Sequence, residues 1–543
     1  MATYWQHAGR QAVLALDASA PQALPALQRA AYVREHETSD FEGTPERQFD
    51  HHLLHQVTYD TLLKAERKLG HAAAARWLVE RTQGRGAEFL AMTGEHAERA
   101  GETALAIDCF EQAGTEAQKR FANAAAVAWL RRALAMLGEA DPMRRFLLLA
   151  LLDSIADTLG DRTGQDAVHA DMAALLQRHP DDARQARLWH LQAMLADRRA
   201  DRTVAERYSR QACELAERCE AAETAALSHA LLVWLHFARH EFDAARQHVE
   251  PGLQWAGRIK TEPQRAETEA RLLTLSGMVS MQLTRYDEAC DTLLGVLSRG
   301  EALGVPRLQL GALDNLAVVD AQRGRWDAAA CWGERMLALA QTTGNQPYLV
   351  RAHWRLSRAA DGAGDVAAAM QWCERMLPLA RAVEDRVMET NGLRQLANLH
   401  CRQDNVAAAL PLFLQAQAGF SAMNAPMPVW ESATRAAECE IQLGLHEGAR
   451  QRVNEALGAL DGELAHLPAH LTVGVRWSSY NVLVALEDAR AAALLEQLHA
   501  DVQAHVAALA VPADRDRLIQ SKLAYRDIVE AYRRTRGTPP PGN

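Results

Sequence analysis

The chain has 543 residues, far more than one ordinary hydrophobic core supports, so it needs several domains or a stacked architecture. Aromatic residues are only 6 % of it and runs rich in Val, Ile and Thr are almost missing, which excludes a strand-built fold and leaves an all-α one. A net charge of −10 without any block of five Lys or Arg excludes a basic nucleic-acid arm, and apolar runs such as residues 146–152 are far too short to span a bilayer.

Residues 1–10 show no basic region followed by an apolar core, so no signal peptide is expected and the location is read as cytoplasmic. Residues 1–84 follow no repeat and are expected to form a small N-terminal module with linking helices. It has an early aromatic pair, Tyr4 and Trp5, and a short strand at Tyr32, Val33 and Arg34. After a polar stretch come Phe49, His51, Leu53, Tyr59 and Leu62. His51, His52 and His55 include an i, i+4 pair that a helix could present to zinc, but there is no third ligand and no His-Glu-x-x-His, so they are read as helix surface.

Residues 85–513 are predicted to be helical repeats. Ala106, Phe110 and Ala113, then Ala126, Leu130 and Ala133, put small and large apolar residues at helical spacing on consecutive helices; residues 161–176 are irregular and read only as a helix pair. From Ala205 a comb of alanines begins. Ala245 follows after 40 residues, the comb slips by four to Ala289, and Ala329, Ala369, Ala409 and Ala449 then follow at steps of 40. Residues 313–336 show the unit: Leu313, Leu316 and Ala317 make the buried stripe of a first helix, Gly324 ends it, and Trp326, Ala329, Gly333 and Met336 make the stripe of a second. The stripe returns as Leu356, Ser357, Val366, Ala369, Cys373 and Met376, then as Leu393, Leu396, Ala397, Val406, Ala409, Phe413 and Ala416, then as Ala437, Val453 and Ala456. At the turns, Gly364 can take the left-handed conformation and Asp365 can cap the next helix, a role repeated by Asp404 and Asn405. Ala491, Leu495 and Leu498 make a weaker last tooth, residues 514–537 read as a capping helix with a charged outer face, and residues 538–543 as a disordered tail.

A fixed period of this length marks a solenoid, whose helix pairs bury their apolar faces only by stacking. The Gly, aromatic, Ala spacing resembles the tetratricopeptide repeat, which implies a right-handed superhelical solenoid. The period of 40 exceeds the usual ~34, so each unit needs longer helices or a longer loop between units. HEAT repeats share the longer period but not that spacing. The N-terminal motif resembles the winged-helix end of bacterial signalling ATPases, linked in nature to class III nucleotide cyclases or transcription factors. The resemblance implies a chain that begins downstream of that family's catalytic parts and acts as its regulatory repeat region.

Little in the sequence points to catalysis. None of the five lysines, at 64, 68, 119, 260 and 522, follows a glycine, so there is no P-loop, and no Gly-x-Ser-x-Gly elbow or kinase signature occurs. Gly362, Gly364 and Ala367 fit a dinucleotide fingerprint on paper, but no strand precedes them and they sit where other units turn. The eight cysteines form no Cys-x-x-Cys pair and are read as reduced thiols. Neither a cofactor nor a metal is expected.

The candidate binding residues lie on first helices, offset from the buried stripe so that they face the groove: Arg351, Trp354, Arg358 and Asp361 in one unit, Asn391, Arg394, Asn398 and Arg402 in the next. Arg offers forked donors and Asn can bond a peptide backbone, so the set suits a protein or peptide partner, acidic or carboxylate-ended. Arg394 and Asn398 are similar to half of the carboxylate clamp of chaperone-binding tetratricopeptide proteins; Glu438 stands where a second Asn would complete it. The sequence therefore predicts a non-catalytic scaffold that binds protein partners, without nucleic acid or membrane. The alternative is a truncated half of an ATPase-cyclase or of an ATPase-type transcription regulator.

Overall fold

The computed structural model describes residues 8–9, 20–35, 46–81, 86–120, 122–508 and 512–536, in two compact units, Met1–Cys219 and Glu220–Asn543. Tyr4, Trp5 and residues 538–543 lie outside the described residues.

The first unit opens with a small antiparallel sheet of β1 (Ala8–Gly9), β2 (Val33–Glu35) and β3 (Glu46–Phe49) in the order β1-β3-β2, with Val33 opposite Phe49. Helix α1 (Ala20–Arg29) precedes β2. Then come α2 (His52–Thr61), α3 (Lys64–Arg81), α4 (Ala87–Ala100), α5 (Thr103–Lys119) and α6 (Asn123–Leu137). The unit closes with α7 (Pro142–Leu159), α8 (Arg162–Arg178), α9 (Asp182–Arg198) and α10 (Arg202–Arg218). Tyr59 on α2 bonds His71 on α3 at 2.9 Å, and His71 bonds His96 on α4 at 3.0 Å between their Nδ1 atoms. Burial first, then the charge of Arg99, pushes His71 down to about 4; burial, then His71 and Arg99, pushes His96 down to about 3. Both imidazoles are neutral at pH 7, so one can donate and the other accept.

The second unit is a stack of helix pairs: α11 (Ala222–Ala238) with α12 (Phe242–Gln247) and α13 (Val249–Ala256), α14 (Glu262–Gln282) with α15 (Tyr286–Ala302), and α16 (Pro306–Gln322) with α17 (Trp326–Thr343). It continues with α18 (Gln346–Ala363) and α19 (Val366–Ala382), α20 (Arg386–Arg402) and α21 (Val406–Ala422), α22 (Pro426–Gln442) and α23 (His446–Asp461), and α24 (Ala469–Ala485) and α25 (Arg490–Ala507). Two further helices, α26 (Pro512–Ser521) and α27 (Leu523–Arg536), follow. Each first helix packs on its own second helix and on a neighbouring first helix. Ala369, Ala409 and Ala449 are fully buried, as the comb requires.

The period of 40 has a simple origin. From Gly304 a left-handed residue recurs every 20 positions, at Gly324, Gly344, Gly364, Glu384, Asp404, Asn424 and Gly444. Turns within pairs and between pairs are therefore the same short length, and helices of 17 or 18 residues fill the rest. The longer period lies in the helices, not in a loop. At Gly364, with φ +92°, the N–H of Asp365 donates to Ala360 O at 2.9 Å, closing one helix, while the Asp365 carboxylate accepts the N–H of Ala368 at 2.9 Å, opening the next. The four-residue slip of the comb is one extra helical turn: α14 has 21 residues where α16 has 17. The second helix of the first pair breaks into α12 and α13 because Pro251 has no N–H for the Gln247 carbonyl and its ring crowds that carbonyl.

One part of the expected register shifts. Leu393 and Leu396 are only half-buried; Gly392, Gln395 and Leu399 take the inner positions of α20. Met376 and Leu377 fill the space over Gly392 so closely that a Cβ there would lie 2.2 Å from the Met376 methyl, and α20 turns its glycine toward them. Gly362 has a similar role: a Cβ would meet the Trp326 indole at 2.4 Å, so glycine lets the ring lie on the backbone of α18.

The C-terminal stretch is two helices with a bend at Lys522, and they do more than cover the last pair. Lys522 Nζ donates to Gln322 Oε1 on α16 at 3.0 Å, and Thr284 Oγ1 donates to the Ala508 carbonyl at 3.4 Å. Leu518, Tyr525, Ile528 and Val529 are buried in the same apolar cluster as Tyr286, Leu313 and Val482. The tail of the unit thus bridges back across its concave side. Among the described residues no helix is long and apolar enough to cross a membrane.

Candidate functional site

The first helices of the second unit are joined by a polar ladder. Arg351 and Arg355 on α18 donate to Asp314 on α16 at 3.2 and 2.6 Å. Burial alone would raise the Asp314 carboxyl, but Arg355 and then Arg351 more than offset it and hold it below the usual range. Arg358 donates to Gln395 on α20 at 3.3 Å; Gln395 in turn donates to Asp361 at 3.0 Å, and Arg402 grips both the carboxylate and the carbonyl of Asp361. Arg394 pairs with Glu431 on α22 and stacks over the Phe420 ring at 5.1 Å. Arg435 donates to Asn398 at 3.1 Å and pairs with Glu438, which accepts from Asn481 on α24 at 2.7 Å.

Behind this ladder, and beneath α26 and α27, lies a cavity of about 1140 Å³. Seven of the eight candidate residues line it: Trp354, Arg358, Asp361, Asn391, Arg394, Asn398 and Arg402. Arg351 does not; it turns to Asp314 and the Tyr348 ring. Sequence reasoning missed Arg355, Gln395 and Arg435, which also line it. Their signal was present, because 355, 395 and 435 form a column at steps of 40, between the columns that were followed. Lys522 and Arg526 belong to no repeat and carried no such signal.

The electrostatics of the cavity run against those of the chain. Seven cations line it, five arginines of the ladder with Lys522 and Arg526, against three carboxylates, Asp361, Glu431 and Asp527, within a chain of net charge −10. The ladder neutralises most of them, with two exceptions. Among the described residues neither Arg358 nor Lys522 forms an ion pair; each has a neutral amide, Gln395 and Gln322, for partner. The side chain of Arg358 is exposed to cavity solvent; partial desolvation by the neighbouring helices lowers its pKa, and the carboxylates of Asp361 and Glu431 oppose that shift. Burial, then the charge of Arg358, pushes Lys522 down to about 8, so both are cationic at pH 7.

A solved structure of a Signal Transduction ATPase with Numerous Domains carrying a tetratricopeptide repeat sensor, from Pyrococcus horikoshii, matches with a TM-score of 0.50 at 13 % identity, over 76 % of this chain and 60 % of that one. This likeness shows the fold: an all-α solenoid of tetratricopeptide-like helix pairs. The chain spans 60 % of that protein's length. Aspartyl phosphate phosphatase F from Bacillus subtilis matches with a TM-score of 0.43 at 11 % identity, over 65 % of this chain and 93 % of that one. The apo quorum sensor NprR from B. thuringiensis matches with 0.42 at 13 %, over 63 % and 97 %. No protein-family model and no curated protein matches the chain.

Proposed function

We propose that the second unit is a non-catalytic binding module that takes an acidic or carboxylate-ended peptide segment of a protein partner into the cavity between the ladder and the C-terminal helices. The observation that carries the reading is the pair of cations, Arg358 and Lys522, which have amide partners and no salt-bridge contact among the described residues, in a cavity whose other charges are paired. The volume of about 1140 Å³ exceeds the ~300–1,000 Å³ of small-molecule pockets and suits a short stretch of chain. Asn398 on the wall, whose oxygen accepts from Arg435, has amide N–H groups for its backbone. In this reading the chain is the regulatory repeat region of a bacterial signalling protein of the ATPase type, and residues 1–84 are its winged-helix-like connection.

The test is calorimetric titration of the full chain with short Asp/Glu-rich peptides, with free and with amidated C-termini, at low and at physiological salt. Saturable binding that Arg358→Gln weakens about tenfold, and that salt weakens further, supports the reading. Equal binding by parent and Arg358→Gln, or no binding to any acidic peptide at low salt, overturns it.

A further inference from the structure

Only one pair of the eight cysteines has a sulfur-to-sulfur contact among the described residues: Cys401 at the end of α20 and Cys439 on α22, with Sγ atoms 3.5 Å apart in a thiol hydrogen bond. They are 38 residues apart in sequence, and only the stacking of consecutive first helices brings them together. A second cavity, of about 370 Å³, opens onto both and is also lined by Arg402, Arg435, Glu438 and Asn481. Cys401 is partly exposed and Cys439 is buried. A small oxidant can therefore reach the first through this cavity, while the second waits behind it.

We propose that Cys401 and Cys439 are a redox-active dithiol, with Cys401 as the sulfur that meets a peroxide and Cys439 as the one that resolves it. The hydrogen bond from Cys439, opposed by burial and aided by the Arg435 guanidinium, holds the Cys401 thiol below its ordinary range. The same bond and burial push Cys439 up, so it keeps its proton as donor until needed. With hydrogen peroxide as oxidant, the Cys401 thiolate attacks one oxygen: the S–O bond forms, the O–O bond breaks, and hydroxide leaves as water after taking a proton. Cys439 then attacks the sulfenic sulfur: the S–S bond forms, the S–O bond breaks, and the departing hydroxide takes the Cys439 proton as a second water. Two thiols lose two electrons and one peroxide becomes two waters. Closing 3.5 Å to the ~2.05 Å of a disulfide asks each sulfur for less than about 1 Å of travel, within reach of side-chain torsions.

The bond would join α20 to α22 beside Arg402 and Glu438, both members of the ladder, so oxidation would fix the spacing of two helices that wall the larger cavity. This inference rests on the dithiol geometry and is independent of what the cavity binds.

The experiment is thiol counting on the full chain. Reduced protein, freed of reductant, is treated with hydrogen peroxide, denatured, alkylated and mapped by mass spectrometry. The expected result is loss of two of the eight alkylatable thiols, an intact mass lower by about 2 Da, and a disulfide-linked peptide pair containing Cys401 and Cys439. Cys439→Ser should abolish the linkage and leave Cys401 as a sulfenic acid trapped by dimedone. Retention of all eight thiols in the treated parent, or a linkage that maps elsewhere, overturns the proposal; the parent alone decides this if the variant does not fold.

Discussion

The replacement of Lys522 by methionine should make the protein more stable and a poorer anion binder. Burial and Arg358 push the Lys522 ammonium from 10.5 down to about 8. At about 1.36 kcal/mol per pKa unit this corresponds to a penalty near 3 kcal/mol for keeping the charge at pH 7. Methionine keeps the apolar stem, but it loses the hydrogen bond to Gln322, worth about 1 kcal/mol, and the contact of the ammonium with the Tyr525 ring at 5.3 Å, worth about 0.5. The net gain is about 1–2 kcal/mol, a few degrees in melting temperature for a unit of this size. The gain has a defined pH window. The unfolded lysine holds its proton up to about 10.5 while the folded one releases it near 8, so between these values the unfolded parent binds more protons and its stability rises with pH. The advantage of Lys522→Met is therefore full below pH 8 and fades toward pH 10.5. Calorimetric melting of both proteins at pH 7 and near pH 10 measures it, and an acidic peptide should stabilise the parent more than the variant. A variant that melts no higher than the parent at pH 7, or keeps the same advantage at both pH values, would show that Lys522 carries no such penalty.

Ala369→Leu should cost about 1–3 kcal/mol by overpacking a fully buried helix contact, whereas Ala368→Leu, half-buried on the same helix, should cost clearly less; equal shifts in melting would refute the helix register. Gly362→Ala should cost about 1–3 kcal/mol and change the tryptophan fluorescence, because the added methyl must displace the Trp326 indole, and unchanged emission and melting would refute that contact. Arg394→Glu should lower stability by about 1–2 kcal/mol by setting two carboxylates together at Glu431, in place of the unchanged melting expected of a free groove arginine. In the first unit, His71 and His96 are neutral when folded and protonated when unfolded between about pH 4 and 6.5, so stability should fall as pH is lowered from 6.5 to 4, and His71→Gln should flatten that fall in a urea titration series.

Much of the architecture was legible because it repeats. A small residue at Ala369, Ala409 and Ala449 is demanded by close helix contact, and the demand recurs wherever the contact does. Even the slip at Ala289 was visible as a shift of four, although only the structure identifies it as an added turn of α14. The exact face of α20 was not legible, since Leu393 and Leu396 look like the natural core until Met376 is seen filling the space above Gly392. The candidate groove was legible as a set of columns, but not as a network: that Arg402 is held by Asp361, and Arg394 by Glu431, depends on side-chain reach between neighbouring helices. Lys522 and the Cys401–Cys439 contact had no sequence signal, because one lies outside every repeat and the other joins positions that differ by 38 rather than 40.

The even spacing of the turns limits how such a chain can change length. Because a left-handed residue stands every 20 positions from Gly304 to Gly444, removing 20 residues would leave every remaining turn intact and still join helix to helix without strain. It would also exchange the roles of all helices on one side of the cut: those that carry the inner ladder would become outer ones, and their arginines and carboxylates would face solvent on the convex surface. Removal of 40 does no such harm. Gene duplication and deletion in this architecture therefore have a grain of two helices, set by which face each helix presents rather than by what the turns tolerate.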